Sequence, residues 1–282
     1  MNTPGYSNVS ASHLFRISVA AGILLLALAS PAHAVIVGGG GTGGPPTGMS
    51  SVPIDTRVGD FWNWGASLPP APNALEDPTG EFLSVSQGPG IFYVTTVFQP
   101  MGSGQLNRAY TVPAFTPIFA SLISLVYVNS DLPGTPEDDR LPASEVEQFV
   151  HENIDLVSLD STFVQLIGGG STTTLDDPSE TALLRKGSGN FTVIVPAGGN
   201  GLGPEDEFPP GSFPNSFAEG YFYSLDDGLP PGEYTLQLFQ TLPDFGLEIS
   251  SLDTITVVPI PTAMWLFGSA LALLGWVRRK AA

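Results

Sequence analysis

Cysteine is absent from the 282 residues, which removes disulfides, thiolate nucleophiles and thiolate metal ligands at once. Histidine is nearly absent, with His151 alone after residue 34. Zinc wants several His or Cys ligands, so a zinc site has too few donors. A Ser-His-acid triad would have to use His151, beside Glu152, and no Gly-x-Ser-x-Gly elbow accompanies it. We read His151 as a solvent-facing helix residue. Basic residues are also few: nine Lys and Arg stand against 27 Asp and Glu, for a net charge of −18. All 27 acids lie between residues 35 and 258, with five basic residues (Arg57, Arg108, Arg140, Arg185, Lys186), so this stretch carries −22. Such a surface repels polyanions, which excludes nucleic acid as a partner. It suits solubility, cations and neutral glycans. Without disulfides the hydrophobic core must hold the fold, and roughly 220 residues can bury enough to do so.

The two ends differ from the body between them. At the start, His13 and Arg16 precede an apolar run over residues 17–29, and Ala32-His33-Ala34 has the small-x-small form of a signal peptidase site. Residues 1–34 therefore read as a signal helix cleaved after Ala34, since the run is shorter than the ~20 residues of a membrane span. A retained anchor is the other reading. Residues 35–51, VIVGGGGTGGPPTGMSS, are a flexible linker. At the far end, Pro259 and Pro261 lack an N–H and fix φ, which makes a stiff joint. An apolar, transmembrane-type helix follows over residues 262–277, with Gly268 and Gly275 as its weak points, and Arg278, Arg279 and Lys280 stop it.

Residues 52–257 read as one mainly β domain. Residues 52–80 are irregular or extended, with Trp62 and Trp64 on one side. Strand pattern follows at residues 91–98 and 110–113. Residues 118–128 are apolar at nearly every position, as in a central strand buried on both faces. Ser144-Glu145-Val146-Glu147 has the form of a capping box and opens one short helix ending by Asn153. Further strands are expected at 154–159, 162–167, 191–195, 219–225, 232–240 and 253–258, with residues 197–215 a long loop. Short strands with Gly/Pro turns and one helix indicate an antiparallel β-sandwich, Ig-like or jelly-roll-like.

Two resemblances attach to particular residues. Val258, Pro259 and Pro261, then Trp265 to Leu271 with Gly268, then Gly275 and Arg278-Arg279-Lys280, resemble the PEP-CTERM sorting signal of Gram-negative bacteria. Ile260 stands where the name-giving motif has Glu. The resemblance covers residues 258–282. It implies an exosortase-like membrane protease as partner, transient residence in the inner membrane, and delivery to the cell surface or an exopolysaccharide matrix. An ordinary C-terminal anchor is the alternative. In the body, Trp62-x-Trp64, Pro70, Asn73-x-Leu75-x-Asp77-x-Thr79-Gly80, Gln87-Gly88 and Leu229-Pro230-Pro231-Gly232-Glu233-Tyr234 resemble a family of uncharacterised secreted bacterial proteins. That family implies a fold and no catalytic residues.

No catalytic residues and no enzyme activity are expected. Trp62 and Trp64 are candidates for stacking on a polysaccharide, or for plugging one end of the domain. Carboxylates such as Glu76, Asp77 and Asp160 are available to a glycosidase, but nothing in the sequence pairs them. The acid runs at 137–139, 176–177, 205–207 and 226–227 leave calcium open as a cofactor, against simple loop solvation. The reading is an exported, non-catalytic surface or matrix protein with a structural or adhesive role; a carbohydrate-binding module is the alternative.

Overall fold

The computed structural model describes residues 52–259, apart from 71–72, 76, 86, 89, 130–139, 156, 158–160, 200, 203–208 and 244–245, together with Ile17–Val19. The remainder of the expected signal helix, the expected linker 35–51 and the segment 260–282, where a transmembrane helix over 262–277 was expected, lie outside the described residues. Among the described residues no helix is long and apolar enough to cross a membrane.

The described strands form two sheets. Sheet A holds β1 (Ile17–Val19), β2 (Phe92–Val94), β5 (Ile118–Tyr127), β8 (Arg185–Val195) and β9 (Gly211–Leu225), in the order β1-β5-β9-β8 with β2 also on β5. Sheet B holds β3 (Phe98–Pro100), β4 (Leu106–Pro113), β6 (Phe163–Gly168), β7 (Ser171–Leu175), β10 (Gly232–Leu242) and β11 (Leu247–Val258), in the order β3-β11-β10-β6-β7 with β4 also on β11. The sheets are mixed where antiparallel pairing was expected. β2 runs parallel to β5 and β4 runs parallel to β11. Parallel neighbours need a long connection. The β2–β5 link supplies one by passing through β3 and β4 in the other sheet. Ile17–Val19 is extended and pairs with Leu125–Tyr127 of β5, an edge that β2 leaves open beyond Ala120.

β5 is buried at all ten positions, as its nearly continuous apolar run predicted. The cause is cover on both faces of sheet A. α1 (Thr56–Ser67) places Phe61 against Phe222, whereas α3 (Ala143–Ile154) meets Phe217 and Glu219 through His151. Residues 217 and 219 point away from 222 on a strand, so the helices occupy opposite faces. Phe119 and Phe222 stack at 4.7 Å within a hydrophobic cluster that draws on both sheets.

α1 replaces the irregular segment expected over residues 52–80. Asp55 caps it, accepting from the Arg57 N–H at 3.1 Å, and Val58, Phe61, Trp62 and Gly65 line its buried side at helical spacing. Gly59 allows the close approach to β8: a Cβ there would lie 3.1 Å from the Phe191 ring. α3 is the helix expected at Ser144, but the capping box is not formed. Pro142 is the N-cap, without a side-chain hydrogen bond, and its carbonyl accepts from Glu145 and Val146 at 2.9 and 3.1 Å. Its fixed φ sets the N-cap two residues earlier than Ser144 and places Ser144 inside the first turn. Ile154 then closes α3 rather than opening a strand. β9 begins at Gly211, inside the expected loop, because Val193, Ile194 and Val195 offer a ladder to Phe213, Ser212 and Gly211.

Candidate functional site

The last described residues lie at one end of sheet B. β11 sits between β10 and β4, and its last pairs are Val257 with Gly232 and Val112, and Val258 with Pro113. The Ala114 N–H donates to the Val258 carbonyl at 2.8 Å, so the strand is held through its last residue. The neighbouring loops are locked together. Phe115, at φ 58°, donates its N–H to Leu229 O at 2.9 Å, and Gly228 lies so close to Thr116 that a Cβ would fall 2.5 Å from its carbonyl oxygen. Phe115 is 62 % exposed and Val258 38 %. Of the expected processing residues, Val258 and Pro259 are placed, one ending the strand and one just beyond it. Ile260, Pro261, Trp265, Gly268, Arg278, Arg279 and Lys280 lie outside the described residues, as do Ala32 and Ala34.

The two candidate stacking residues lie inside the molecule. Trp62 is fully buried and Trp64 is 8 % exposed. Phe61 meets the Trp62 ring edge-on at 5.7 Å, and Trp64 lies 5.2 Å from Tyr93. Helical rather than extended backbone puts residues 62 and 64 about 200° apart around an axis, so they form no shared platform. Both indoles pack the space between α1 and its neighbours, and neither presents a face to a polysaccharide.

His151 does not face solvent as expected. Its Nδ1 contacts Oε2 of Glu219, whose side chain has no exposed surface, and its Nε2 lies 3.5 Å from Glu147. The other Glu219 oxygen accepts from Arg185 Nε, while Arg185 Nη1 donates to Asp155 at 2.6 Å. Burial pushes the Glu219 carboxyl above the usual glutamate range, against the opposing pull of Arg185 and His151. Both histidine nitrogens are engaged by carboxylates, so the cluster ties α3 to β8 and β9 and is not arranged as a nucleophile–base pair.

A second buried pair was also missed in the sequence. Arg108 of β4 and Asp253 of β11 stand in register, with no exposed side-chain surface, and bond bidentately at 2.8 and 2.5 Å. Arg108 also donates to Thr95 O at 2.7 Å, and the Tyr110 hydroxyl donates to Asp253 at 3.1 Å. The available signal was register: Arg108 shares parity with Tyr110 and Val112, and Asp253 with Ile255 and Val257, all core residues. At the surface, Arg57 joins Asp55 and Asp226, and Lys186 reaches Ser224 at 2.9 Å.

The carboxylates proposed for other chemistry are mostly placed in structural roles. Asp77 is 2 % exposed and accepts from Thr79 and from the N–H groups of Phe82 and Leu83, which caps α2 (Glu81–Val85). Asp177 caps α4 (Pro178–Thr181), accepting from Ser179 N at 2.8 Å. Glu76, Asp160 and the acid runs 137–139 and 205–207 lie outside the described residues. Among the described residues no group of three or more His, Asp or Glu is arranged to hold a metal ion. No protein-family model, curated protein or solved structure matches this chain.

Proposed function

We propose that the protein is exported, is held at the inner membrane by residues 262–277, and is cut near Pro259–Pro261 by an exosortase-like protease. It then serves at the cell surface or in an exopolysaccharide matrix, in a structural or adhesive role without catalysis. Its two mixed sheets would form the layers of a β-sandwich, a reading supported by the hydrophobic cluster they share. The observation that carries the sorting reading is the order of parts in residues 258–282: a Pro-x-Pro joint, an uncharged apolar run, then Arg278-Arg279-Lys280. The placement of Val258 is compatible with it. The sheet holds β11 through Val258, so a cut at 259–261 removes the tether and leaves every described strand whole. The non-catalytic reading is supported by the ionic groups, which pair with one another across secondary-structure elements.

Intact mass and C-terminal peptide mapping of protein recovered from its native host test this. A chain beginning at Val35 and ending between Pro259 and Pro261 is the expected result. A chain still carrying Trp265 to Lys280 would make the segment a permanent anchor and overturn the processing step.

A further inference from the structure

The less buried face of sheet B carries an open groove of about 430 Å³ that neither the sorting reading nor the buried ionic clusters use. Strand alternation creates it. Leu236, Leu238 and Val164 point into the core, which turns Gln237, Phe239 and Phe163 to the opposite face. Register then brings them together: Phe239 stands directly across from Phe163, and Gln237 across from Gln165. Ser161, Thr162 and Asp176 complete the lining. Thr162 and Ser161 are fixed from β10, since Gln240 donates to the Thr162 hydroxyl at 3.1 Å and the Thr241 N–H donates to the Ser161 hydroxyl at 3.2 Å. The Gln165 amide is held by Thr174 at 3.0 Å. Gln237 makes no side-chain hydrogen bond among the described residues, and its amide stands in the groove with both donor and acceptor to offer.

We propose that this groove is a binding site for a neutral polysaccharide chain. The chemistry of the lining selects that ligand. A pyranose ring has an apolar C–H face and a rim of hydroxyls. Phe163 and Phe239 offer aryl surface to the first, and the Gln237 amide and Asp176 carboxylate offer donors and acceptors to the second. The volume lies within the range of small-ligand sites, and the groove is open to solvent rather than enclosed. Charge narrows the class further. Among the described residues no Lys or Arg lines the groove, and the body carries −22, so polyanionic glycans and nucleic acids are repelled.

The placement of the groove fits an adhesive role. Gly232 pairs with Val257 at the end where the chain exits, and Phe239 lies seven residues further along β10. At about 3.3 Å per residue that separation is roughly 23 Å. A tether leaving at Pro259 would therefore hold the groove away from its attachment point. The binding itself does not depend on how the chain is sorted.

The test uses the full chain in a detergent without a sugar headgroup. It is run through native gels containing neutral gluco-, galacto-, manno- or xylo-polysaccharides, or an anionic uronate polymer, and affinities are then measured by calorimetry. Retardation by at least one neutral polymer is expected, with Phe239→Ala and Gln237→Ala each weakening it roughly tenfold. Phe239 is half-buried, so circular dichroism must match the parent; Gln237→Ala and Asp176→Asn, which remove no core packing, serve as the second pair. No retardation by any neutral polymer overturns the proposal. So does retardation that Gln237→Ala and Phe239→Ala leave unchanged, or a preference for the uronate polymer.

Discussion

Removing one member of the Arg108–Asp253 pair should cost far more than removing both. Both side chains are fully buried, joined by two hydrogen bonds, with the Thr95 carbonyl on the guanidinium and the Tyr110 hydroxyl on the carboxylate. Arg108→Met leaves the Asp253 carboxylate in the core with Tyr110 as its remaining donor. Asp253→Leu leaves the guanidinium with one carbonyl acceptor. Breaking a buried pair in this way costs about 3–5 kcal/mol, because the charge left behind is uncompensated. For a domain of this size that is a fall in Tm of about 6–20 °C. The double variant Arg108→Met/Asp253→Leu removes both charges. It strands only the Thr95 carbonyl and the Tyr110 hydroxyl, each at about 1–3 kcal/mol when unpaired, while gaining apolar contact. Its stability should lie within about 2 kcal/mol of the parent, with Tyr110→Phe recovering part of the difference. Urea unfolding followed by far-ultraviolet circular dichroism gives all four corners of the cycle. Single variants within about 1 kcal/mol of the parent, or single-variant losses that simply add in the double, would refute the reasoning.

Three further outcomes follow from separate parts of the fold. Trp62→Ala should destabilise by about 3–5 kcal/mol, as for any large core residue, and a loss below about 1 kcal/mol would return Trp62 to the surface. Burial raises the Asp77 carboxyl, but hydrogen bonds from Thr79, Phe82 and Gly80 outweigh it and hold its pKa below the ordinary 3.8. Its stabilising contribution is thus present above the unfolded pKa and lost as pH falls through the folded one, so Asp77→Asn should flatten the decline in urea midpoint from about pH 5 to pH 2; an unchanged slope would sink the assignment. Gly220→Ala should cost about 1–3 kcal/mol, because the new methyl would lie 2.3 Å from the Ile123 carbonyl oxygen and 2.5 Å from the Ser124 Cβ. Gly88→Ala, with nothing within 4 Å, is the control, and equal losses at the two sites would count against close packing as the cause.

What was legible in the sequence was local. The nearly continuous apolar run of β5 announced burial on both faces, and the alternation of Tyr234, Leu236 and Leu238 announced which face of β10 turns inward. The helix α3 was visible in its apolar spacing although its cap was not. α1 was hidden by its composition. Two glycines, two tryptophans and a Pro-rich exit mask the helical period of Val58, Phe61, Trp62 and Gly65, and the Asp55 cap was the overlooked sign. β7 and the first half of β9 are polar or Gly/Pro-rich and owe their extended form to a neighbour's ladder, which a single stretch cannot reveal.

The sequence by itself determined the charge of the body, the absence of cysteine, the scarcity of histidine, and the order of joint, apolar run and basic stop in residues 258–282. These are properties of composition and of neighbours along the chain. Only the tertiary structure decided that Trp62 and Trp64 lie inside, that His151 meets Glu219, and that Phe163 and Phe239 share a groove. Each depends on residues dozens of positions apart or on which side of a helix faces the core. That information resides in register and packing, where a strand shifted by one residue would turn Phe239 inward and close the groove.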